Sequence, residues 1–347
     1  MKTCTMNSMQ RVLTTLGHQE PDRVPFFLLL SLHGARHLNI SIQEYFSVAE
    51  TVAQSQLKLL ERYKHDCLYS FYYGPVEVEA WGGEVIFRKD GPPNSGRPFI
   101  RNYSDIDKLM VPDINGSKVL QRILKTTELM KNEVQDTVPI IGVVMSPFSL
   151  PVMQMGFGQY IELIYEQEEY FWKLMELNTS FCVEWANAQL AAGATAICYF
   201  DPISSPTIIP KDLYITRGCK IAKNTISQIN GPTATHLASG ISLPIAEEIS
   251  TTGTAVIGVS SQEDLTDLKK AFKNKLSVLG NLNGIEMRRW TEEETRAKVI
   301  EAIKKGAPGG GFILSDNHGE IPWQVSDETL LTISKTVHEF GYYPISE

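Results

Sequence analysis

From about residue 138 onward, apolar and polar positions fall into a repeating unit. Short apolar runs occupy 139–146 (PIIGVVMS), 195–201 (TAICYFD), 233–239 (TATHLAS), 254–260 (TAVIGVS), 276–281 (LSVLGN) and 311–316 (GFILSD). Between them, apolar residues recur at helical spacing over 157–193, 213–229, 243–253, 261–272 and 291–306. Short buried strands alternating with amphipathic helices predict βα units on a parallel sheet. Two earlier apolar runs, 24–31 and 67–73, bring the strands to eight, the number that closes a (β/α)8 (TIM) barrel. An open doubly wound sheet has the same periodicity. No GxGxxG follows an early strand, so a dinucleotide-binding fold lacks its signature.

The N-terminal third carries additions to this repeat. Residues Ser8 to Leu16 read as an amphipathic helix stopped by Gly17, and 41–63 as a helix with Ser41 as N-cap. The stretch 80–100 alternates and turns as a hairpin does, and TEEETR at 291–296 reads as an acidic helix start. No linker or low-complexity segment separates these parts, so we expect one domain over 1–347: an α/β barrel with N-terminal helical and hairpin elaborations.

With 43% hydrophobic and 21% charged residues, the chain has ample material for a core, which excludes disorder as its main state. A net charge of −8 with scattered lysines and arginines argues against a nucleic-acid partner. The longest apolar stretch, 24–32, is about half the roughly 20 residues of a bilayer span, so no membrane segment is expected. The first twenty residues lack a signal-peptide core. Five cysteines, an odd number with no CxxC pair, exclude a zinc ribbon and a disulfide framework. They suit a cytoplasmic protein with reduced thiols.

Barrel enzymes place their chemistry at the C-terminal ends of the strands. Here those ends carry His33 and Arg36, then Tyr72 and Tyr73, Ser146, Asp201, His236, Ser260, Asn281 with Asn283, and Asp316 with His318. His236 and His318 would end the fifth and eighth strands and face each other across the mouth, where one zinc ion would suit two imidazoles. Equally, each is a hydrogen-bonded loop residue, since no HExxH spacing reinforces a metal. Glu77 and Glu79, two apart, would share one face of a strand edge and offer a further ligand or surface ion pairs. Phe71, Tyr72, Tyr73, Phe148 and Trp323 would line a pocket for a ring-bearing ligand or pack the core. His18, His37, His65 and His338 lie in helical or loop contexts that make them structural or exposed.

The segments DRVPFFLLLSLHGAR (22–36), VEVEAWGGEV (76–85), MSPFSLPVMQMGF (145–157), YFDPISSPTIIP (199–210), GNLNGIEM (280–287) and GGFILSDNHGEIP (310–322) follow one another in a recognisable order. In this the chain resembles the uroporphyrinogen decarboxylase superfamily, which also contains cobamide-dependent methyltransferases. The resemblance covers nearly the whole chain and implies the family's (β/α)8 barrel. Within the family, the decarboxylases carry two arginines in the first segment and a catalytic aspartate after the second strand. This chain keeps only Arg36 and reads Tyr69-Ser70-Phe71 at the aspartate motif, and its mouth offers few cations for a polycarboxylate tetrapyrrole. The family's methylcobamide:thiol methyltransferases hold zinc through an H-x-C motif after strand five and a cysteine after strand eight. The corresponding residues here are His236-Leu237-Ala238 and His318.

The resemblance therefore implies a remodelled zinc centre built from His236, His318, Glu79 and Asp316, poorer in thiolate and more Lewis acidic. It points to the methyl-donor branch: removal of a methyl group from a methoxylated, aromatic donor and its transfer to the cob(I)amide of a separate corrinoid protein. In that reading His318, His236, Asp201 and Tyr73 are catalytic. His33, Arg36, Phe71, Tyr72, Ser146, Asn281 and Trp323 bind substrate. The cobamide comes with the partner, because the D-x-H-x-x-G signature begun by Asp316 and His318 has Ile321 at the glycine. A homodimer is the commonest assembly for such an enzyme. The alternatives are a methylcobamide:thiol (coenzyme M-like) methyltransferase and a decarboxylase-like protein that binds a tetrapyrrole.

Overall fold

A computed structural model describes residues 5–345. Seven parallel strands form one curled sheet in the order β1 (Leu68–Tyr69), β4 (Ile140–Met145), β5 (Ala196–Phe200), β6 (Thr233–His236), β7 (Val256–Gly258), β8 (Ser277–Leu282) and β9 (Phe312–Asp316). The two remaining strands, β2 (Val85–Ile86) and β3 (Asn94–Ser95), pair antiparallel as the expected hairpin. All six runs read after residue 138 are strands. Helices fill the intervals, as a parallel sheet with both faces covered requires.

The gap between β1 and β9 is closed by 24–31, without a regular ladder. Phe27 N–H donates to Leu314 O (2.8 Å) and Leu314 N–H to Pro25 O (2.9 Å) on one side. Asp66 N–H donates to Phe26 O (2.9 Å) on the other. This is the eighth stave. It is irregular because Pro21 and Pro25 bring no N–H to a ladder. Run 67–73 is also shorter than its apolar content suggests: only Leu68–Tyr69 pair, after which the chain leaves the barrel for the helix Val76–Ala80. Glu77 and Glu79 therefore lie on a helix, where residues two apart do not share a face, and not on a strand edge.

Inside the barrel, Phe27, Leu29, Tyr69, Val143, Cys198, Val256, Leu279 and Ile313 form a lumen core. The helix Ser8–Leu16 caps its N-terminal end, with Val12 packed into that core. Arg11 and Arg23 both bond the buried Asp66 carboxylate (2.7 and 2.6 Å), fastening this helix and the eighth stave to the start of β1. The acidic start at 291–296 is a capping box of Thr291 with Glu294. Among the described residues, no helix is long and apolar enough to cross a membrane.

Candidate active site at the barrel mouth

β9 ends at Asp316, and the following turn crosses the mouth. Asp316 shapes it: its Oδ2 accepts from the N–H groups of His318 (2.7 Å) and Gly319 (3.0 Å). Tyr69 donates to Gly319 O (2.8 Å), and Ile321 N–H to Leu29 O (2.9 Å), so the turn is held by β1 and the eighth stave. Gly319 has φ +84°, and a Cβ there would lie 3.0 Å from Phe200 and 3.5 Å from the His236 ring. Only glycine meets both demands.

The turn presents His318 and Glu320 to a cavity of about 520 Å³, whose apolar walls include Tyr69, Phe71, Met145, Phe200 and Trp323. Pro92 to Ser95, at the far side of the hairpin, complete the wall, and Ile285 and Arg288 stand at the opening. Glu320 is half-buried, and the Ser31 hydroxyl donates to its Oε1. Burial pushes this carboxyl up to about 7 against the Ser31 bond, and the neighbouring Asp316 adds to the rise. Asp316 itself is pushed up to about 6 by burial, opposed by the backbone N–H groups it accepts. Burial lowers His318. A carboxyl that keeps its proton near neutrality, on the wall of an apolar cavity, is equipped as a general acid.

His236 lies beneath this floor. Its ring stacks on Phe200 (centroids 5.5 Å apart), and Nδ1 accepts from Ala238 N–H (3.0 Å). Nε2 is buried without a partner, and burial, then the charge of His318, lowers the imidazole to about 4. The ring is thus neutral at physiological pH, with its proton on Nε2.

The expected zinc ligands are not assembled. Among the described residues no three His, Cys, Asp or Glu side chains come together in a way that could hold a metal ion. Part of their hydrogen-bonding capacity is engaged, while His236 Nε2 and Asp316 Oδ1 are buried without a hydrogen-bond partner. Glu79 accepts from the Tyr73 hydroxyl (2.6 Å), Asp316 from two backbone amides, and His236 Nδ1 from Ala238.

Of the other residues singled out at strand ends, Phe71 and Trp323 line the cavity with His318. The rest are placed elsewhere. Asp201 is buried and accepts hydroxyls from Ser146 (2.6 Å), Ser149 (2.7 Å) and Ser204 (2.5 Å), a closed cluster that also absorbs Ser146. Tyr72 donates or accepts at Thr126 (2.6 Å) and stacks on Phe46 in the outer core. Asn281 donates to the carbonyls of Ser260 (2.9 Å) and Glu263 (3.0 Å) and borders a separate outer groove. Arg36 donates to Trp323 O and Val325 O (2.8 Å each) and lies over the Trp323 ring, so it braces the cavity wall. His33 is fully buried with neither ring nitrogen bonded, and burial drives it down to about 3.

The cavity also holds residues that strand-end spacing does not reveal: Glu320, Tyr69, Phe200 and Arg288. Glu320 carries a signal of its own, being two residues beyond His318 in the same polar turn. Arg288 carries none, because its loop follows β8 at no fixed distance.

The profile of the family described as "Uroporphyrinogen decarboxylase (URO-D)" matches residues 7–340. A uroporphyrinogen decarboxylase of Pseudoalteromonas translucida is 24% identical over 350 aligned positions, covering 95% of this chain and 97% of the relative. That of Pelobacter propionicus is 26% identical, covering 90% and 93%. Among solved structures, a methyltransferase from Methanosarcina mazei superposes with a TM-score of 0.86 at 19% identity, covering 96% of this chain and 99% of that one. A B12-independent methionine synthase from Shewanella sp. W3-18-1 gives 0.54 at 12% identity, covering 92% and 94%. These likenesses establish the barrel fold, and the profile match across nearly the whole length establishes the relationship: the chain belongs to the uroporphyrinogen decarboxylase family.

Proposed function

We propose that this protein is a methyltransferase that takes a methyl group from a methoxylated aromatic donor and passes it to the cob(I)amide of a separate corrinoid protein. The observation that carries this reading is the mouth cavity, aromatic-walled, with one proton-bearing carboxyl on its wall. Its volume, about 520 Å³, falls within the roughly 300–1,000 Å³ of small-molecule sites. Tyr69, Phe71, Phe200 and Trp323 offer ring faces and edges to an aromatic donor. When presented by its partner, cob(I)amide supplies the nucleophile that displaces the ether oxygen from the methyl carbon.

The chain's own residues manage the charge that develops on that oxygen. Glu320 delivers its proton as the phenolate departs, and Ser31 fixes the carboxyl's orientation by donating to Oε1. The apolar walls keep water from the reacting atoms and hold Glu320 protonated until it is needed. His318, beside it, is a second donor to the departing oxygen. No step runs through zinc.

Decarboxylation of a tetrapyrrole is a second reading, favoured by the curated relatives. Against it, Arg288 is the only cation among the described residues that lines the cavity, and Arg36 Nη1 is committed to two backbone carbonyls. One experiment separates the readings. Purified protein is mixed with a reduced corrinoid protein and a panel of methoxyarenes, methanol, methylamines and methylated thiols, and the corrinoid spectrum is followed. In parallel, uroporphyrinogen is offered and porphyrin products are counted by carboxyl number. Methylation of the corrinoid by methoxyarenes supports the proposal. Porphyrinogen decarboxylation without methyl transfer would replace it.

A further inference from the structure

The glycine run Gly309-Gly310-Gly311 enters β9 at the end of the barrel opposite the mouth, and the proposed chemistry does not use it. All three residues have positive φ (78°, 70° and 65°). A Cβ on Gly310 would lie 2.4 Å from Gln19 O, so the run is pressed against the turn that carries His18. A Cβ on Gly311 would lie 2.8 Å from His18 Nδ1 and 3.5 Å from Lys269 Nζ. The missing side chain at Gly311 thus makes room for the His18 ring and brings it close to the Lys269 ammonium.

These groups border a cleft of about 350 Å³ lined by His18, Lys269, Lys270, Lys273, Asn274 and Gly309, closed behind by Phe272 and Leu276. Among the described residues, no carboxylate lines it. Lys269 is half-buried and donates to the neutral Gly310 O, and the Glu20 carboxylate acts on its charge. Burial lowers its ammonium to about 8, and burial, then the charge of Lys269, lowers His18. The nearest acid is Glu20, exposed beside the cleft and accepting from Gly309 N–H (2.9 Å). Lysines at the end of the helix Leu265–Ala271 favour its dipole, but that accounts for Lys269 and Lys270 only, and not for Lys273 or His18.

We infer that this cleft is a binding site for a phosphate group, held by Lys269, Lys270 and Lys273 beside His18. In a chain of net charge −8, three ammonium groups facing one cleft concentrate positive potential where a doubly charged oxyanion gains most. The site is independent of the reaction at the mouth.

Isothermal titration of the full chain at constant ionic strength in chloride tests it, with inorganic phosphate, pyrophosphate and AMP as probes. We expect one site per chain. Tightest binding by phosphate or pyrophosphate would name a free anion, and by AMP a phosphorylated metabolite; either supports the site. Lys270 and Lys273 are exposed, so the double variant Lys270→Gln/Lys273→Gln keeps the fold and should bind about tenfold more weakly or worse. Lys58→Gln/Lys220→Gln removes the same charge elsewhere and should leave affinity unchanged. Absence of binding by all three probes at millimolar concentration overturns the proposal, as does equal weakening by the two double variants.

Discussion

Two carboxylates at the mouth end of the barrel, Asp201 after β5 and Glu320 after β9, look interchangeable as residues but differ in what surrounds them. Asp201 accepts from three serine hydroxyls and is not among the residues lining the mouth cavity. Glu320 has one side-chain partner, Ser31, and faces about 520 Å³ of apolar space. A carboxylate tied to three buried hydroxyls is a structural knot, because any change of charge costs the whole cluster. One with a single partner can exchange its proton with a ligand. Position at a strand end does not confer function by itself; unspent hydrogen-bonding capacity does.

The comparison can be broken most sharply at Glu320. Under the proposed function, Glu320→Gln should slow methyl transfer by about 10²–10⁴-fold, the usual contribution of a general acid. Its thermal midpoint should barely move; an unimpaired rate would sink the assignment. Next in size is Asp201→Ala, which strands three buried hydroxyls. Chemical denaturation should show a loss of about 1–3 kcal/mol per group left unpaired, less where serines re-pair. Turnover per folded molecule should persist, and a collapse of turnover in fully folded protein would show that Asp201 does more than hold the loop.

A smaller effect is expected at the turn itself. Gly319→Ala forces a side chain into the left-handed region and against Phe200, at a cost of about 1–2 kcal/mol. Because the turn carries His318 and Glu320, KM and kcat for the donor should worsen together, which steady-state kinetics would reveal; unchanged kinetics would show that the turn tolerates displacement.

An effect on stability alone, confined to the pH range in which the group titrates, concerns a third carboxyl. Glu77 accepts from Met145 N–H (2.8 Å), leaves Oε2 buried without a partner, and is pushed up from 4.5 to about 8 by burial, opposed by that bond. The folded chain therefore keeps a proton that the unfolded chain releases. This contribution to stability is complete below about 4.5 and is lost as pH rises to about 8. Glu77→Gln should flatten that slope, raising the melting temperature at pH 8 relative to wild type and not at pH 4. An identical pH profile for the two proteins would show that Glu77 is ionised in the fold.

The strands after residue 138 were legible because each is a short apolar run between helical patterns, and local periodicity reports burial on a parallel sheet directly. The first two staves were less so: proline denies 24–31 a ladder, and 67–73 spends its aromatic residues outside the sheet. At the site, Phe71, Trp323 and His318 could be anticipated as members of the mouth. Tyr72, Asn281 and Asp201 share the same strand-end signature yet turn to other partners. For His236, the spacing could not disclose that Phe200 and Gly319 lie against its ring.

What the sequence determined by itself is the barrel, the family and the register that brings Asp316 to Glu320 to the mouth. These depend on the order of apolar and polar residues along the chain, which survives without coordinates. Only the tertiary structure decided which strand-end groups are free to act. A side chain's hydrogen-bonding capacity is spent on partners distant in sequence: Ser146 on Asp201, Arg36 on the carbonyls of Trp323 and Val325, Asn281 on those of Ser260 and Glu263. Such pairings arise when the closed barrel brings separate loops together, and no local pattern encodes them.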